Sequence, residues 1–327
     1  MRIRKVKSAL GESLAVRNSN DEPWVSLGEV RAEHPLGGVT NDLIGFLALG
    51  EAGRAAANQL IADNPSGTPG LDLAPLIPFQ PKALRAFSVY EQHQIQSARG
   101  LVHRYLPKLA KVADRFESLT GKTFPKYKPV EMFHRHPLFY MGNPLNMLPD
   151  GSTIPWPSYC EDLDYEIELG AIVCHDVAPD TPAVAAQEAI GGFVLVNDIS
   201  ARDTQWDEYR NGVFGPVIKA KTFANMLGTE VVTADEVWPV VDKLQGEVRV
   251  NGEAWSNPST AGANWSYGDM VAYGASGEQV HAGELFSAGT LPNGCGLELG
   301  RWIQPGDRLE LELELLGTLS GTVGQRG

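Results

Sequence analysis

The feature that most constrains this chain is the run of short apolar segments filling its second half, each closed by Gly, Pro or Asn. From Leu163 onward these include Tyr165–Val173, Phe193–Val196, Gly246–Val250 with the turn Asn251-Gly252, and Arg308–Leu315. Segments of this length and punctuation read as strands. Their succession predicts an antiparallel or mixed β architecture closed on itself, not a doubly wound α/β sheet. Two stretches of the first half carry helical pattern. Glu51–Asp63 is alanine-rich and ends in the stop Asn64-Pro65-Ser66-Gly67, and Tyr90–Thr120 is helical with a break at Pro107. Thr123–Pro157, rich in Pro, Gly and aromatics, reads as ordered loop. The turn-rich stretch Pro65–Pro81 reads as a boundary. It separates a small N-terminal α/β domain, 1–80, from a larger domain, 81–327, in an α+β, β-rich chain.

The formal charge of −13 over 327 residues disfavours a nucleic-acid partner or an anionic membrane, because phosphates are repelled over most of such a surface. Three cysteines without a CxxC pair, and a basic N-terminus without a long apolar run, predict a cytoplasmic protein. No apolar stretch is long enough for a membrane helix.

Two segments carry chemistry. In Asp164-Tyr165-Glu166-Ile167-Glu168-Leu169 the three acids share one strand face, since alternate side chains point the same way. Two long carboxylates about 7 Å apart along a strand can converge on a hard cation such as Mg²⁺, Mn²⁺ or Ca²⁺. Alternation alone does not decide this: Leu309-Glu310-Leu311-Glu312-Leu313-Glu314-Leu315 alternates more cleanly and reads as a half-exposed strand without function. The second segment is Gly191–Val196, a buried-looking strand ending in Asn197-Asp198-Ile199-Ser200-Ala201-Arg202-Asp203. An acid and an arginine at the mouth of a buried strand suit a site, although Asp198 also suits a turn or a helix cap.

The segments LDYEIELGAIV, GGFVLVNDISARDTQ, KTF, SAGT and PGDRLELELELLGTL resemble, in order and spacing, the fumarylacetoacetate hydrolase superfamily, from about Leu84 to the C-terminus. The resemblance implies a mixed β-roll catalytic domain around Mg²⁺, Mn²⁺ or Ca²⁺, a small keto-acid substrate and a homodimer. It implies that Glu166, Glu168 and Asp198 hold the metal and that Lys221 contacts the substrate's developing anion. Tyr140, Arg202, Gln205 and Thr290 would line the substrate site. His93 would activate water and Glu298 would orient it. The chain departs from the hydrolase pattern at Ala86, where a further metal-binding aspartate is expected, so three protein carboxylates are predicted. Gln96 stands where decarboxylases of the family carry glutamate, which favours hydrolysis.

A histidine oriented by a carboxylate can take a proton from water near neutral pH, and a cation with a lysine can hold charge on the departing enolate. The predicted activity is therefore hydrolysis of a C–C bond in a diketo acid. An isomerase, hydratase or decarboxylase using the same site, or a non-catalytic acid-binding member, are the alternatives. Cys295 lacks a paired base, and the Gly289–Gly294 spacing is not followed by Lys-Ser/Thr, so neither a thiol nucleophile nor a P-loop is expected.

Overall fold

The computed structural model describes residues 1–212 and 217–327. Seventeen strands are present among them: β1 Arg2–Ser8, β2 Gly11–Arg17, β3 Val25–Ser26, β4 Leu84–Phe87, β5 Phe139–Gly142, β6 Met147–Pro149, β7 Ser152–Trp156, β8 Leu163–Asp164 and β9 Ile167–Val173. There follow β10 Ile190–Asn197, β11 Ser200–Ala201, β12 Asn225–Thr233, β13 Gly246–Val250, β14 Glu253–Ser256, β15 Leu285–Ser287, β16 Arg308–Leu313 and β17 Gly317–Arg326.

Ten of these form one sheet in the order β3-β2-β1-β12-β10-β9-β15-β4-β5, with β6 paired to β12. Five more form a second sheet, β14-β13-β16-β17-β7, and β8 pairs with β11. The large sheet has two free ends, at the two-residue β3 and the four-residue β5. The expectation of an architecture closed on itself is thus corrected to two open mixed sheets whose short edge strands offer little for further pairing.

The core shows why these residues become strands. Along β9, Ile167, Leu169, Ala171 and Val173 pack into one apolar cluster with β13, β16 and β17, while Ile172 enters a second cluster with Val194, Val196, Leu227 and Leu285. A strand buried on both faces needs apolar residues at both parities, which explains its unbroken burial. The second cluster also takes Met1, Ile3, Leu14 and Val16, and β1 pairs antiparallel with β12 (Arg2↔Val232, Ile3↔Val231). Residues 1–80 therefore share a sheet and a core with the rest.

Helices form at Gly50–Asp63, Glu91–Tyr105 and Pro107–Thr120, the last two divided at Pro107 as the pattern predicts. Within Thr123–Pro157, the expected loop is corrected to 3₁₀ turns and three short strands, β5 to β7. These are too short and too interrupted by Pro and Gly to show a period in sequence. All three cysteines are free and buried. No helix among the described residues is long and apolar enough to cross a membrane.

Candidate active site

Register assembles the site. In the β10–β9 ladder Val196 lies opposite Glu168 and Asn197 opposite Ile167. One step further, the Asp198 amide donates to the Glu166 carbonyl at 3.0 Å, placing Asp198 across from Glu166. The β8–β11 pair continues the line with Ser200 opposite Asp164. On the far side of β9, Ser287 of β15 lies opposite Gly170, Ala86 of β4 opposite Ser287, and Tyr140 of β5 opposite Ala86. Counting in twos, Glu166, Glu168, Asp198, Ser287, Ala86 and Tyr140 all share one face of the sheet.

The three predicted metal carboxylates are buried, and one ligand oxygen from each lies within 4.8 Å of the others. Lys221 Nζ donates to Glu166 Oε2 at 2.5 Å and to Asp198 Oδ2 at 2.8 Å. The Tyr140 hydroxyl donates to the same Asp198 Oδ2 at 2.6 Å, and Ser287 Oγ donates to Glu168 Oε2. Arg202 Nε donates to Asp164 Oδ2 at 2.8 Å, its Nη1 donates to Gln205 Oε1 at 2.9 Å, and its Nη2 lies 2.7 Å from Glu166 Oε1. All the guanidinium nitrogens thus face the chain's own groups, and Arg202 is 1% exposed. Its position supports a role in holding Glu166 in place.

Burial dominates the electrostatics. It pushes the Asp198 carboxyl up to about 6, against the pull of the Lys221 ammonium and with Glu166 adding to the rise. Burial beside Asp198 and Glu166 drives Glu168 well above the usual carboxylate range. The same burial acts on Glu166, but Lys221 and Arg202 outweigh it and hold that carboxyl below its ordinary value. Burial and the Asp198 charge raise the Tyr140 phenol, so it stays a donor.

Four buried carboxylates, Asp164, Glu166, Glu168 and Asp198, face two buried cations, Lys221 and Arg202. Asp198 Oδ1 is buried without a hydrogen-bond partner. An excess of negative charge with an unused carboxylate oxygen is what a hard divalent cation with oxygen ligands would satisfy, so the residues present fit such an ion. Ala86 lies on the same face between Ser287 and Tyr140, so that position contributes no carboxylate.

The second part of the site comes from two helices. His93 lies in the first turn of Glu91–Tyr105, and its Nδ1 is 2.7 Å from Oε1 of Glu298, in the short helix Gly296–Leu299. The histidine side chain is 10% exposed and the glutamate side chain fully buried. Glu298 beside Nδ1 favours the tautomer protonated there, which leaves Nε2 able to accept a proton, with the Ser97 hydroxyl 3.2 Å away. Gly100 allows the two helices to approach: a Cβ there would meet the Leu297 carbonyl oxygen at 2.4 Å. Gly100→Ala should part Glu298 from His93 and lower kcat by up to about 10²-fold with the fold retained. Steady-state kinetics beside a circular-dichroism melt checks this.

A Glu166–Cys295 bridge joins the two halves, and His93 contributes to the lowering of the Glu166 carboxyl. Burial and the Glu298 charge raise the Cys295 thiol well above its usual value, and its sulfur shares with His93 and Glu298 a cluster whose ligand atoms lie within 4.8 Å of one another. Thr290 is buried in the loop after β15. There Gly289, at φ +91°, passes so close to β4 that a Cβ would meet the Phe87 carbonyl oxygen at 2.3 Å.

Two contributors are absent from the sequence-derived set. Ser287 lies within the SAGT segment but gives no signal of its contact with Glu168. Asp164 stands in the acidic stripe, yet its carboxylate accepts from Arg202 and from the Gly296 and Leu297 amides at 2.8 and 3.0 Å, anchoring the helix that carries Glu298. Asp164→Ala should destabilise the protein by about 3–5 kcal/mol, because it removes one of the two carboxylates on a buried guanidinium and leaves the Gly296 and Leu297 amides without their acceptor. A urea titration tests this, and a cost below about 1 kcal/mol would contradict it.

A buried histidine–glutamate pair beside a buried carboxylate cluster is an arrangement that could support general-base chemistry next to an oxygen-ligated cation. Comparison with known proteins makes the class specific. Residues 112–324 match the family model for fumarylacetoacetate (FAA) hydrolase C-terminal. Oxaloacetate tautomerase FAHD1, mitochondrial, of Homo sapiens is 29% identical over 163 residues, covering 49% of this chain and 71% of that protein. Among solved structures, fumarylacetoacetate hydrolase (EaFAH) of Exiguobacterium antarcticum aligns over 100% of both chains with a TM-score of 0.65 and 20% identity. Maleylpyruvate hydrolase of Sphingobium.sp SYK-6 aligns over 99% of this chain and 100% of its own, with a TM-score of 0.64 and 17% identity. This chain belongs to the fumarylacetoacetate hydrolase family.

Proposed function

We propose that the protein is a divalent-cation-dependent hydrolase that cleaves a carbon–carbon bond in a small diketo acid of the fumarylacetoacetate or acylpyruvate type. The observation that carries this reading is the His93–Glu298 pair beside the carboxylates Glu166, Glu168 and Asp198. Mg²⁺, Mn²⁺ or Ca²⁺ held by those three acids would supply Lewis-acid stabilisation to an oxygen on which negative charge develops. In this reading His93 Nε2 takes a proton from water, and Glu298 stabilises the imidazolium that results. The hydroxide equivalent adds to one carbonyl carbon. The bond from that carbon to its neighbour then breaks, leaving an acid and an enolate. The ammonium of Lys221 offsets the enolate charge, and a proton returned to the enolate carbon completes the second product. Tyr140, Gln205 and Thr290 are assigned to the substrate. Gln96, whose amide donates to Asn293 at 3.0 Å, keeps the helix face beyond His93 neutral, which favours hydrolysis over decarboxylation.

Incubating the protein with an acylpyruvate and Mg²⁺ in ¹⁸O-water tests the proposal. Two acids, one carrying a single solvent oxygen, are expected, and a single product of unchanged mass would overturn hydrolysis. That outcome is the second reading, an isomerase or tautomerase, which the name of the mitochondrial tautomerase relative favours. Sedimentation would test the homodimer, which stands as part of the proposal.

The raised carboxyls predict how stability depends on pH. For Asp198 and Glu168 the native state holds protons that the unfolded chain releases near pH 4, so their contribution is present below about pH 4 and is lost as pH rises through about 6 and beyond. Glu166 acts oppositely, but its contribution is complete above about pH 5. Mn²⁺ should therefore raise the melting temperature more at about pH 7.5 than at about pH 5. An ion-induced shift that is equal at both pH values would argue against cation binding by these acids.

A further inference from the structure

Beside the carboxylate cluster lies a second group of metal-ligating side chains, which the proposed hydrolysis uses only in part. One ligand atom each of His93, Cys295 and Glu298 lies within 4.8 Å of the others. His93 comes from the first turn of Glu91–Tyr105, Cys295 immediately precedes the helix Gly296–Leu299, and Glu298 lies within that helix. Cys295 and the Glu298 side chain are fully buried, whereas the His93 side chain is 10% exposed, so an ion would enter past the histidine. Glu298 uses one oxygen on His93 Nδ1, and its Oε2 is buried without a hydrogen-bond partner among the described residues. A buried carboxylate oxygen with no donor is costly unless a cation meets it.

The donor set selects the ion. Sulfur and imidazole favour a thiophilic dication such as Zn²⁺, which takes Cys, His and Glu in a tetrahedral shell, whereas Mg²⁺ prefers oxygen alone. Glu166, Glu168 and Asp198 offer only oxygen, so the two clusters sort ions by softness. Charge balance allows both to be filled. When ionised, the four buried carboxylates of the first cluster exceed its two buried cations by two charges, which its dication neutralises. A Cys295 thiolate and the Glu298 carboxylate supply two more for the second ion. The movement required is small. Nitrogen and oxygen ligands at about 2.0–2.1 Å from a tetrahedral ion stand about 3.3 Å apart, and His93 Nδ1 stands 2.7 Å from Glu298 Oε1. The pair must open by about half an ångström.

We propose that His93, Cys295 and Glu298 form a second cation site, for Zn²⁺ or a like thiophilic dication, and that filling it switches the histidine off as a base. The ion takes the place of the proton between Nδ1 and the carboxylate. That proton is carried by Nε2 instead, the thiol proton leaves to solvent, and bonds from nitrogen, sulfur and oxygen to the ion form, with water as the fourth ligand. Burial raises the thiol in the ion-free protein, so the ion has to displace a firmly held proton. With Nε2 protonated, the imidazole accepts nothing from water. The site follows from the cluster alone, and only the loss of turnover rests on the proposed role of His93.

The test is a titration of the whole protein with Co²⁺, a spectroscopic substitute for Zn²⁺, in excess Mg²⁺. A saturable sulfur-to-cobalt charge-transfer band is expected in the near ultraviolet, and Zn²⁺ should bleach it. Cobalt held by Glu166, Glu168 and Asp198 gives no such band, because those ligands include no sulfur. Cys295→Ser should remove the band and weaken Zn²⁺ binding by about 10²-fold or more. Zn²⁺ should also inhibit cleavage of an acylpyruvate by the parent, while Cys295→Ser keeps the parental rate without Zn²⁺ and needs about 10²-fold more of it for the same inhibition. Should Cys295→Ser fail to fold, His93→Ala decides, and should weaken cobalt binding at the sulfur by about 10²-fold or more. A band in a protein that cleaves nothing supports the site and removes only the hydrolase reading. The assignment is overturned by the absence of the band in the parent, by its persistence in Cys295→Ser, which would move it to Cys160 or Cys174, or by equal Zn²⁺ inhibition of parent and variant.

Discussion

Glu168→Gln is expected to abolish turnover, by about 10³-fold or more, and to remove the thermal stabilisation given by Mg²⁺ or Mn²⁺. The substitution keeps shape and the bond from Ser287, since the amide oxygen can accept where Glu168 Oε2 does. It removes one of three carboxylates whose oxygens lie within 4.8 Å of each other, and with it the charge excess that suits a dication. The ion-free variant should be as stable as the parent or more so, because Glu168 is the carboxyl that burial and its acidic neighbours disfavour most as an anion. That combination separates a lost cation site from a damaged fold. Wild-type turnover together with an unchanged ion-induced melting shift would sink the assignment of the three acids.

The second large effect is expected at the histidine. His93→Ala should lower hydrolysis by about 10²–10⁴-fold, the span of a positioned general base, while leaving the Mn²⁺-induced melting shift intact. Glu298→Gln should lose less, because the imidazole remains and only its orientation and the stabilisation of its charged form suffer. The rate of Glu298→Gln, set against that of His93→Ala at several pH values, shows whether the pair acts as a unit. If His93→Ala cleaves an acylpyruvate at the parental rate, water activation must be sought elsewhere. Solvent deuterium uptake in place of cleavage in the parent would move the same pair to the tautomerase reading.

How much of this was legible beforehand differs from residue to residue. Period-two alternation put Glu166 and Glu168 on one face without any knowledge of the fold. The same reasoning applied to Glu310 and Glu312, and those acids lie half-exposed on β16, with Glu312 accepting from Arg249 at 2.8 Å. The two stripes are alike in pattern. What separates them is the covering: β9 is buried on both faces, between two apolar clusters, whereas β16 buries only its leucines. Family resemblance, not periodicity, singled out the stripe whose acids are buried.

Local chemistry thus determined strands, the Pro107 break, the parity of the acidic pair and, through motif likeness, the family. Such properties depend on neighbours a few residues away. Tertiary structure alone decided that the sheets stay open, that Asp198 stands opposite Glu166, that Arg202 is drawn to Asp164 and Glu166, and that His93 meets Glu298 across 205 residues of chain. Strand register, and the approach of two helices at Gly100, arise from which surfaces bury each other, and a one-dimensional pattern carries no record of that choice.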